Sequence, residues 1–128
     1  IMPGSAWPGK RWPVDSFLEL IHGIKRSRPD WIPVLFGDPN EESVSALQSD
    51  LKASQVQFES KIGKKTYRDL AREMMEIDFL ISNDTGLSHL AEGLRKPSVV
   101  LFGPTTPEFG FAPGLHASKS LGSKLWCR

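Results

Sequence analysis

Apolar residues in this chain fall into two repeating patterns, short continuous runs and faces with helical spacing. The runs at 31–36, 56–58, 77–82 and 98–102 are typical of buried strands, and residues 1–4 look like the end of another. Apolar residues spaced by three and four predict four amphipathic helices between those runs. The predicted buried faces are Val14, Phe17, Leu18, Ile21 and Ile24; Val44, Leu47 and Leu51; Tyr67, Leu70, Ala71 and Met74; and Leu87, Leu90, Ala91 and Leu94.

Strands that alternate with helices predict the α/β class, here a Rossmann-like doubly wound parallel sheet with right-handed crossovers. In a sheet of order 3-2-1-4-5 the first and fourth strands are neighbours, and ligands bind beyond their carboxyl ends. The loops that follow these two strands are 5–12 and 83–86, so we expect them to lie side by side. A length of 128 residues predicts one domain, 1–128, and the abrupt start and end suggest a fragment of a longer protein.

Short sequence features predict further details of the helices, loops and strands. Thr66 followed by Asp69 is similar to a capping box and predicts the start of the third helix. Residues 60–65 are expected to form a basic loop, and the methionine pair 74–75 is expected in the core. A short strand is expected near 117–121.

The turn between the fourth strand and the fourth helix carries the best candidate chemistry. Free backbone N–H groups and the positive end of the helix dipole suit an anion such as phosphate at this kind of turn. Asp84 and Thr85 are expected to cap the helix, and Gly86 allows a ligand close to the backbone. His89 lies one helical turn beyond Thr85 and can reach back over the same spot. A simple helix cap and a packed helix histidine are the alternatives for Asp84 and His89.

Composition removes several classes of function. A net charge of +1 gives no reason to expect a nucleic-acid partner, and no apolar run approaches the roughly 20 residues of a membrane span. Cys127 is the only cysteine, so there is no disulfide framework, and no His, Cys and carboxylate cluster has metal-binding spacing. The chain lacks a Gly-x-Ser-x-Gly elbow, a Gly-x-Gly-x-x-Gly turn and a P-loop, which argues against a serine hydrolase, an ordinary NAD site and a P-loop nucleotide site.

Several spaced motifs are familiar as a set. They are Ser82-Asn83-Asp84-Thr85-Gly86-Leu87-Ser88-His89-Leu90-Ala91, Lys96-Pro97, Leu101-Phe102-Gly103-Pro104-Thr105, Pro3-Gly4-Ser5 with Lys10-Arg11-Trp12-Pro13, and Leu35-Phe36-Gly37. In this order, and over nearly all of the chain, they closely resemble the heptosyltransferase family of glycosyltransferases, family nine. Members of that family use ADP-heptose to extend the inner core of lipopolysaccharide.

The resemblance implies one half of a GT-B enzyme, in which two Rossmann-like domains face each other. This chain is similar to the C-terminal, donor-binding domain. The nucleotide sugar would bind here without a cofactor, and a lipopolysaccharide-type acceptor would be held by the missing N-terminal domain. The family's proposed catalytic carboxylate lies in that domain, so no catalytic residue is expected in this chain. The implied location is the cytoplasm, with possible contact with the inner face of the bacterial inner membrane.

The resemblance also assigns individual residues. Ser5 and Lys10 would contact the donor diphosphate, Asp84, Thr85, Gly86 and His89 would hold the diphosphate and sugar, and the backbone near Lys65 and Thr66 would meet the adenine. Asp38 or Glu41 is the candidate for the family's acidic ribose contact. Ala6 and Glu92 depart from the family pattern, Ala6 from a hydroxyl and Glu92 from a small residue. The basic cluster Lys61, Lys64, Lys65 and Arg68 is expected to be a solvated face, with phosphate or an anionic membrane surface as the alternative.

Two other functions remain open at this stage. The chain could be a non-catalytic nucleotide-binding or scaffold domain that kept the fold. It could also belong to the nucleotide-sugar 2-epimerases, which share the two-domain arrangement but would need further acid and base residues. Titration with ADP separates a pocket that binds nucleotide from one that does not.

Overall fold

The structure is a computed structural model that describes residues 1–105, 112–115 and 117–122. Helices and strands alternate from Val14 to Phe102, as the apolar pattern predicts. In chain order they are a short 3₁₀ helix Pro8–Lys10, α1 Val14–Ser27, β1 Val34–Gly37, α2 Glu42–Ala53, β2 Glu59–Ile62, α3 Tyr67–Met75, β3 Leu80–Asn83, α4 Gly86–Gly93, β4 Ser98–Phe102 and β5 Lys119–Gly122.

The chain separates into two compact units, where the sequence predicts one domain. The first comprises 1–4 and 12–64, and the second comprises 5–11 and the described residues from 65 onward. The hydrogen bonds of the described strands likewise form two parallel sheets, β1-β2 in the first unit and β3-β4-β5 in the second. The α/β class with parallel strands is therefore confirmed, whereas the adjacency of the first and fourth strands stays a prediction.

In the first unit, β1 has neighbours on both of its edges. It pairs with β2 in parallel register, from Val34 opposite Glu59 to Gly37 opposite Ile62. On the other edge, the nitrogen of Ile1 donates to the Val34 carbonyl at 2.7 Å, and the Phe36 N–H donates to the Ile1 carbonyl at 3.0 Å. The first three predicted strands therefore lie in the order 3-2-1.

The core of the first unit comes from the predicted helix faces. Phe17 and Ile21 of α1 are fully buried, as are Val44, Leu47 and Leu51 of α2 and Leu35 and Phe36 of β1. The Trp12 ring meets the Phe17 ring edge-on at a centroid distance of 5.0 Å. Such an edge-to-face pair is a favourable aromatic geometry and fixes the chain where it enters α1.

In the second unit, β4 is the central strand. Its bounds coincide with the apolar run predicted at 98–102, and it pairs in parallel with β3 and with β5. The weakly signalled strand near 117–121 exists as β5. Buried side chains from β3 and β4, and Met74 and Ala91 from α3 and α4, form the core here. The alternation of strand and helix thus places the turn 84–85 between a buried strand and the start of α4.

The third strand was predicted in the wrong place. The sequence places it at 56–58 and reads 60–65 as a loop, but the strand is β2, Glu59–Ile62. Two of its four residues are exposed and two are half-buried, so no apolar run marks it. Its extended backbone is set by hydrogen bonding to β1, which a single-strand pattern does not show.

Two predictions on α3 were also wrong. Tyr67 was placed on its buried face and Met75 in the core, but their exposed fractions are 69% and 63%. Met74 alone of the methionine pair is buried, because neighbouring helix positions point about 100° apart. The capping prediction is confirmed, since Thr66 Oγ1 accepts from the Asp69 N–H at 3.2 Å and donates to its carboxylate at 2.6 Å.

Candidate functional site

The site is built around the point where β3 turns into α4. The Asp84 N–H still bonds to the Leu101 carbonyl at 3.1 Å, so hydrogen bonding to the neighbouring chain segment continues into the turn. Thr85 has extended backbone angles and sits at the N-cap position, but no side chain caps the helix there. Thr85 is thus the N-cap residue by position, but the expected capping hydrogen bond from the Asp84 or Thr85 side chain was wrong. Backbone N–H groups at the start of α4 lack this side-chain satisfaction and suit an external acceptor.

Asp84 does not cap because its carboxylate is engaged elsewhere. One oxygen, Oδ2, accepts from Lys10 Nζ at 2.6 Å and from Thr105 Oγ1 at 2.8 Å. Asp84 is only 5% exposed, so the pair with Lys10 is largely shielded from water. A charge-assisted hydrogen bond of this kind is both strong and directional. Asp84 thus joins the turn to two other loops of the same unit.

The first of these loops, residues 5–11, is held by its own hydrogen bonds. The buried Ser5 accepts a bond at Oγ from the Trp7 N–H at 3.3 Å, and its carbonyl accepts from Arg11 Nε at 2.8 Å. The Lys10 N–H bonds to the Trp7 carbonyl at 3.0 Å. The loop and the turn at Asp84 lie side by side, as the sequence predicts. Arg11 was not assigned a role. Its partner is a backbone carbonyl, which every residue has, so no residue type or spacing in the sequence indicates the contact.

The second loop, 103–105, follows β4 and packs tightly against the first. A Cβ on Gly103 would lie 2.7 Å from the Gly9 carbonyl oxygen and 3.4 Å from Lys10 Cα. Only glycine allows this close approach, which brings Thr105 to Asp84. Thr105 therefore adds this loop to the site through its hydrogen bond to Asp84.

The head of α4 is open on one side. Gly86 is exposed, and among the described residues the nearest atom to the place where its Cβ would stand is the Tyr67 hydroxyl, 3.8 Å away. The Thr85 hydroxyl is buried and has no hydrogen-bond partner within the described part of the chain. His89 is exposed on α4, one turn after Thr85. An unsatisfied hydroxyl at the edge of an open helix start favours a polar ligand at this point.

Lys65 and Thr66 lie at the start of α3 in the same unit. Lys65 Nζ donates to both carboxylate oxygens of Glu73, at 2.7 and 2.6 Å. Glu73 was not predicted to take part, since eight residues separate the pair. The Thr66 hydroxyl bond to Asp69 is the main cause that lowers the pKa of that carboxyl below 3.8. The side chains at this point therefore fix the helix start and leave the backbone as the expected ligand contact.

Three other candidates have local partners. Asp38 and Glu41 belong to the first unit, where Asp38 accepts from the Asn40 N–H at 2.8 Å and the Glu41 carboxylate packs against Gly4. The Glu92 carboxylate accepts from the Gly114 N–H in the second unit. Its departure from a small residue thus has a structural use, since it holds residues 112–115 against α4.

The chemistry available at the head of α4 suits an anion. It combines backbone N–H groups at a helix start, the Lys10 ammonium, which has two N–H donors beyond the one given to Asp84, and the buried Thr85 hydroxyl.

Within the described residues, no group of three His, Cys, Asp or Glu side chains could hold a metal ion. No described helix has the length and apolar content needed to cross a bilayer.

A parallel α/β unit with anion-binding groups beyond the carboxyl end of a strand is the arrangement of nucleotide- and phosphate-binding domains. The family model of glycosyltransferase family 9 (heptosyltransferase) matches residues 1–128, so the chain belongs to that family. The resemblance stated from the sequence motifs is thereby confirmed.

Individual relatives agree with this assignment. Lipopolysaccharide heptosyltransferase 1 of Escherichia coli O18:K1:H7 is 32% identical over 118 residues, which are 91% of this chain and 35% of the relative. The solved structure of E. coli ADP-heptose LPS heptosyltransferase II matches 94% of this chain and 36% of that chain, with a TM-score of 0.79 and 26% identity. A glycosyl transferase family 9 structure from Veillonella parvula DSM 2008 matches 95% of this chain and 34% of that chain, with a TM-score of 0.77 and 29% identity.

The chain spans about a third of the length of the curated relatives that it matches, between 29% and 35% of three lipopolysaccharide heptosyltransferases 1.

Proposed function

We propose that this chain is the donor-binding part of an inverting glycosyltransferase that takes heptose from ADP-heptose to build the lipopolysaccharide core. Family membership supports the class of reaction. The name of the E. coli relative, an ADP-heptose LPS heptosyltransferase, supports the donor. The acceptor and the catalytic base belong to the part of such an enzyme that this chain does not span. The proposed location is the cytoplasm, at the inner face of the inner membrane, where such an acceptor would be met.

The observation that carries the proposal is the Lys10–Asp84 ion pair at the open head of α4. An ionised carboxylate repels a diphosphate, so Asp84 is proposed to act through its neighbours. By accepting from Lys10 and Thr105 with one oxygen, it fixes the lysine ammonium beside the helix start. A preoriented charge loses little entropy when the anion arrives.

The donor is proposed to lie across the second unit, with its diphosphate at the head of α4 and its adenine at the start of α3. Its diphosphate accepts from the backbone at the head of α4, from the Thr85 hydroxyl, from Lys10 and from Ser5, whose Oγ also accepts from the Trp7 N–H. His89 is proposed to meet the diphosphate or the sugar from the next turn of α4. The adenine is proposed to meet the backbone near Lys65 and Thr66, whose side chains are engaged with Glu73 and Asp69.

Calorimetric titration with ADP tests the proposal. Wild type should bind, and Lys10→Ala should weaken binding about ten- to hundredfold, since one charge-assisted contact contributes about 1.5–3 kcal/mol. Lys52→Ala is the matched control, because it removes the same charge from an exposed position on α2 in the other unit. Unfolding curves of both variants separate lost binding from lost folding, since Lys10→Ala leaves Asp84 buried without its cation.

A second variant tests the role given to Asp84. Simple Coulomb repulsion says that Asp84→Asn should strengthen ADP binding, because it removes a negative charge near the diphosphate. A positioning role says the opposite, since an amide orients the Lys10 ammonium less strongly than a carboxylate does. We expect binding to weaken. Stronger binding would contradict the positioning role, and a wild-type chain that does not bind ADP would indicate a scaffold domain without a working pocket.

A further inference from the structure

Tyr67 stands at a firmly held position at the start of α3. The residue before it, Thr66, caps the helix through Asp69. The residue before that, Lys65, is clamped by both carboxylate oxygens of Glu73. Tyr67 is the first residue of α3, so its Cα position is fixed by contacts on either side of it.

The side chain of Tyr67 is not used by the core. It is 69% exposed, although the apolar spacing predicts it on the buried face. Of the atoms in the described part of the chain, its hydroxyl lies nearest to the space over Gly86, at 3.8 Å from the Cβ position. No described residue is a hydrogen-bond partner for that hydroxyl. A phenol donor therefore faces the same helix start that carries the anion site.

We propose that Tyr67 is a further donor-binding residue, whose phenolic O–H donates to a phosphoryl oxygen of the nucleoside diphosphate seated on the first turn of α4. This inference rests on the function proposed above. An anion bonded to the Gly86 N–H would have its oxygen about 2.9 Å from that nitrogen. A hydroxyl on the open side of Gly86 can then reach a second oxygen of the same phosphate.

The position suits a tyrosine for a physical reason. Its side chain has two rotatable torsions, so ordering it on a ligand costs less entropy than ordering a lysine or an arginine would. Its ring can also cover the open side of the helix start and exclude water from the phosphate, which strengthens the other charge-assisted contacts. The diphosphate is thus held from three directions, by the helix start, by Lys10 and by Tyr67.

The test compares Tyr67→Phe with wild type by ADP titration. Tyr67→Phe keeps the ring and removes only the hydroxyl, so we expect about tenfold weaker binding with an unchanged unfolding curve. Met75→Leu is the matched control, because Met75 is similarly exposed at the other end of the same helix. It should bind ADP as wild type does.

A second readout follows from composition. Tyr67 is the only tyrosine in the chain, so tyrosine labelled at the phenol carbon gives one nuclear magnetic resonance signal. Saturating ADP should shift that signal, and inorganic phosphate should shift it in the same direction at higher concentration. Equal ADP affinity of Tyr67→Phe and wild type, or a signal that ADP leaves unmoved, would overturn the contact alone. Failure of wild type to bind ADP would overturn both this contact and the proposed function.

Discussion

Two glycines of the second unit differ in how much space surrounds the position that a Cβ atom would occupy. Gly103 leaves no room for a side chain, since a Cβ would collide with the Gly9 carbonyl oxygen. Gly86 has room among the described residues, where the Tyr67 hydroxyl alone comes within 4 Å of the Cβ position, and its backbone is not in the left-handed region. The fold therefore requires glycine at 103 but does not require it at 86. Glycine at position 86 is therefore explained by the proposed ligand, whose phosphate would approach the backbone at the head of α4.

Gly86→Ala makes this argument testable. Alanine favours helix more than glycine does, so stability should be unchanged or higher by up to about 1 kcal/mol. Its methyl group fills the space through which a phosphate reaches the backbone, so ADP affinity should fall about tenfold or more. Gly93→Ala is the control, since it makes the same change at an open position on the same helix. Urea unfolding and calorimetric titration of both variants measure the two effects.

The outcome for Gly86→Ala can contradict the site. Unchanged ADP binding with full stability would show that no ligand approaches the backbone at Gly86. Lost stability would instead show a structural need that the space around Gly86 does not reveal.

At the residue scale, the sequence predicted the site where several residue types together are typical of one kind of turn. The turn at 84–86 was found because Asp, Thr and Gly follow a buried strand and precede a helix face. Its internal contacts were not found. Asp84 was expected to cap α4, yet it pairs with Lys10, which is 74 residues away in the chain. Sequence spacing reports contacts within a helix turn, and it does not report which loops a fold brings together.

At the scale of elements, the sequence predicted helices better than edge strands. The helices α1 and α2 follow from their apolar faces, because burying such a face stabilises a helix. The strand β2 was missed because it consists of Glu59, Ser60, Lys61 and Ile62 and is held by its pairing with β1. Tyr67 was assigned to a buried face by the same spacing rule, and its exposure is the exception that led to a proposed ligand contact.

The hydrogen bond that caps the start of α3 is expected to contribute to the stability of the protein. Thr66→Ala removes the bond to the Asp69 N–H, so the free energy of unfolding should fall by about 1 kcal/mol. Thr66→Ser keeps a hydroxyl and should lose much less. Urea unfolding of the three proteins at neutral pH measures the difference.

The same contact has a pH dependence with a definite sign. The Thr66 hydroxyl lowers the pKa of Asp69 below its ordinary value of 3.8. A lowered carboxyl pKa contributes stability that is fully present above pH 3.8 and is lost as the pH falls through the folded-state pKa. The stability gap between wild type and Thr66→Ala should therefore narrow on acidification below that value. A gap that stays constant to about pH 2 would show that the Asp69 carboxylate takes no part.

At the scale of the whole molecule, the proposed donor site is one part of what sugar transfer needs. An inverting transfer requires an acceptor hydroxyl in line behind the anomeric carbon and a base to take its proton. Asp84 is the carboxylate at the centre of the site, and its Oδ2 oxygen already accepts from Lys10 and Thr105. It also faces the proposed diphosphate side of the sugar, which is the wrong side for an inverting attack.

We therefore expect the 128-residue chain to bind donor and not to turn it over. The purified chain, incubated with ADP-heptose and a truncated lipopolysaccharide acceptor, should give no product mass while calorimetry shows binding. The matched positive control is a full-length family member under the same conditions. Addition of a separately expressed acceptor-binding half from that relative should restore some turnover if the two halves can close over the donor. Product from this chain alone, at a rate near that of the control, would place the base within residues 1–128 and would contradict the division of labour proposed for the two halves.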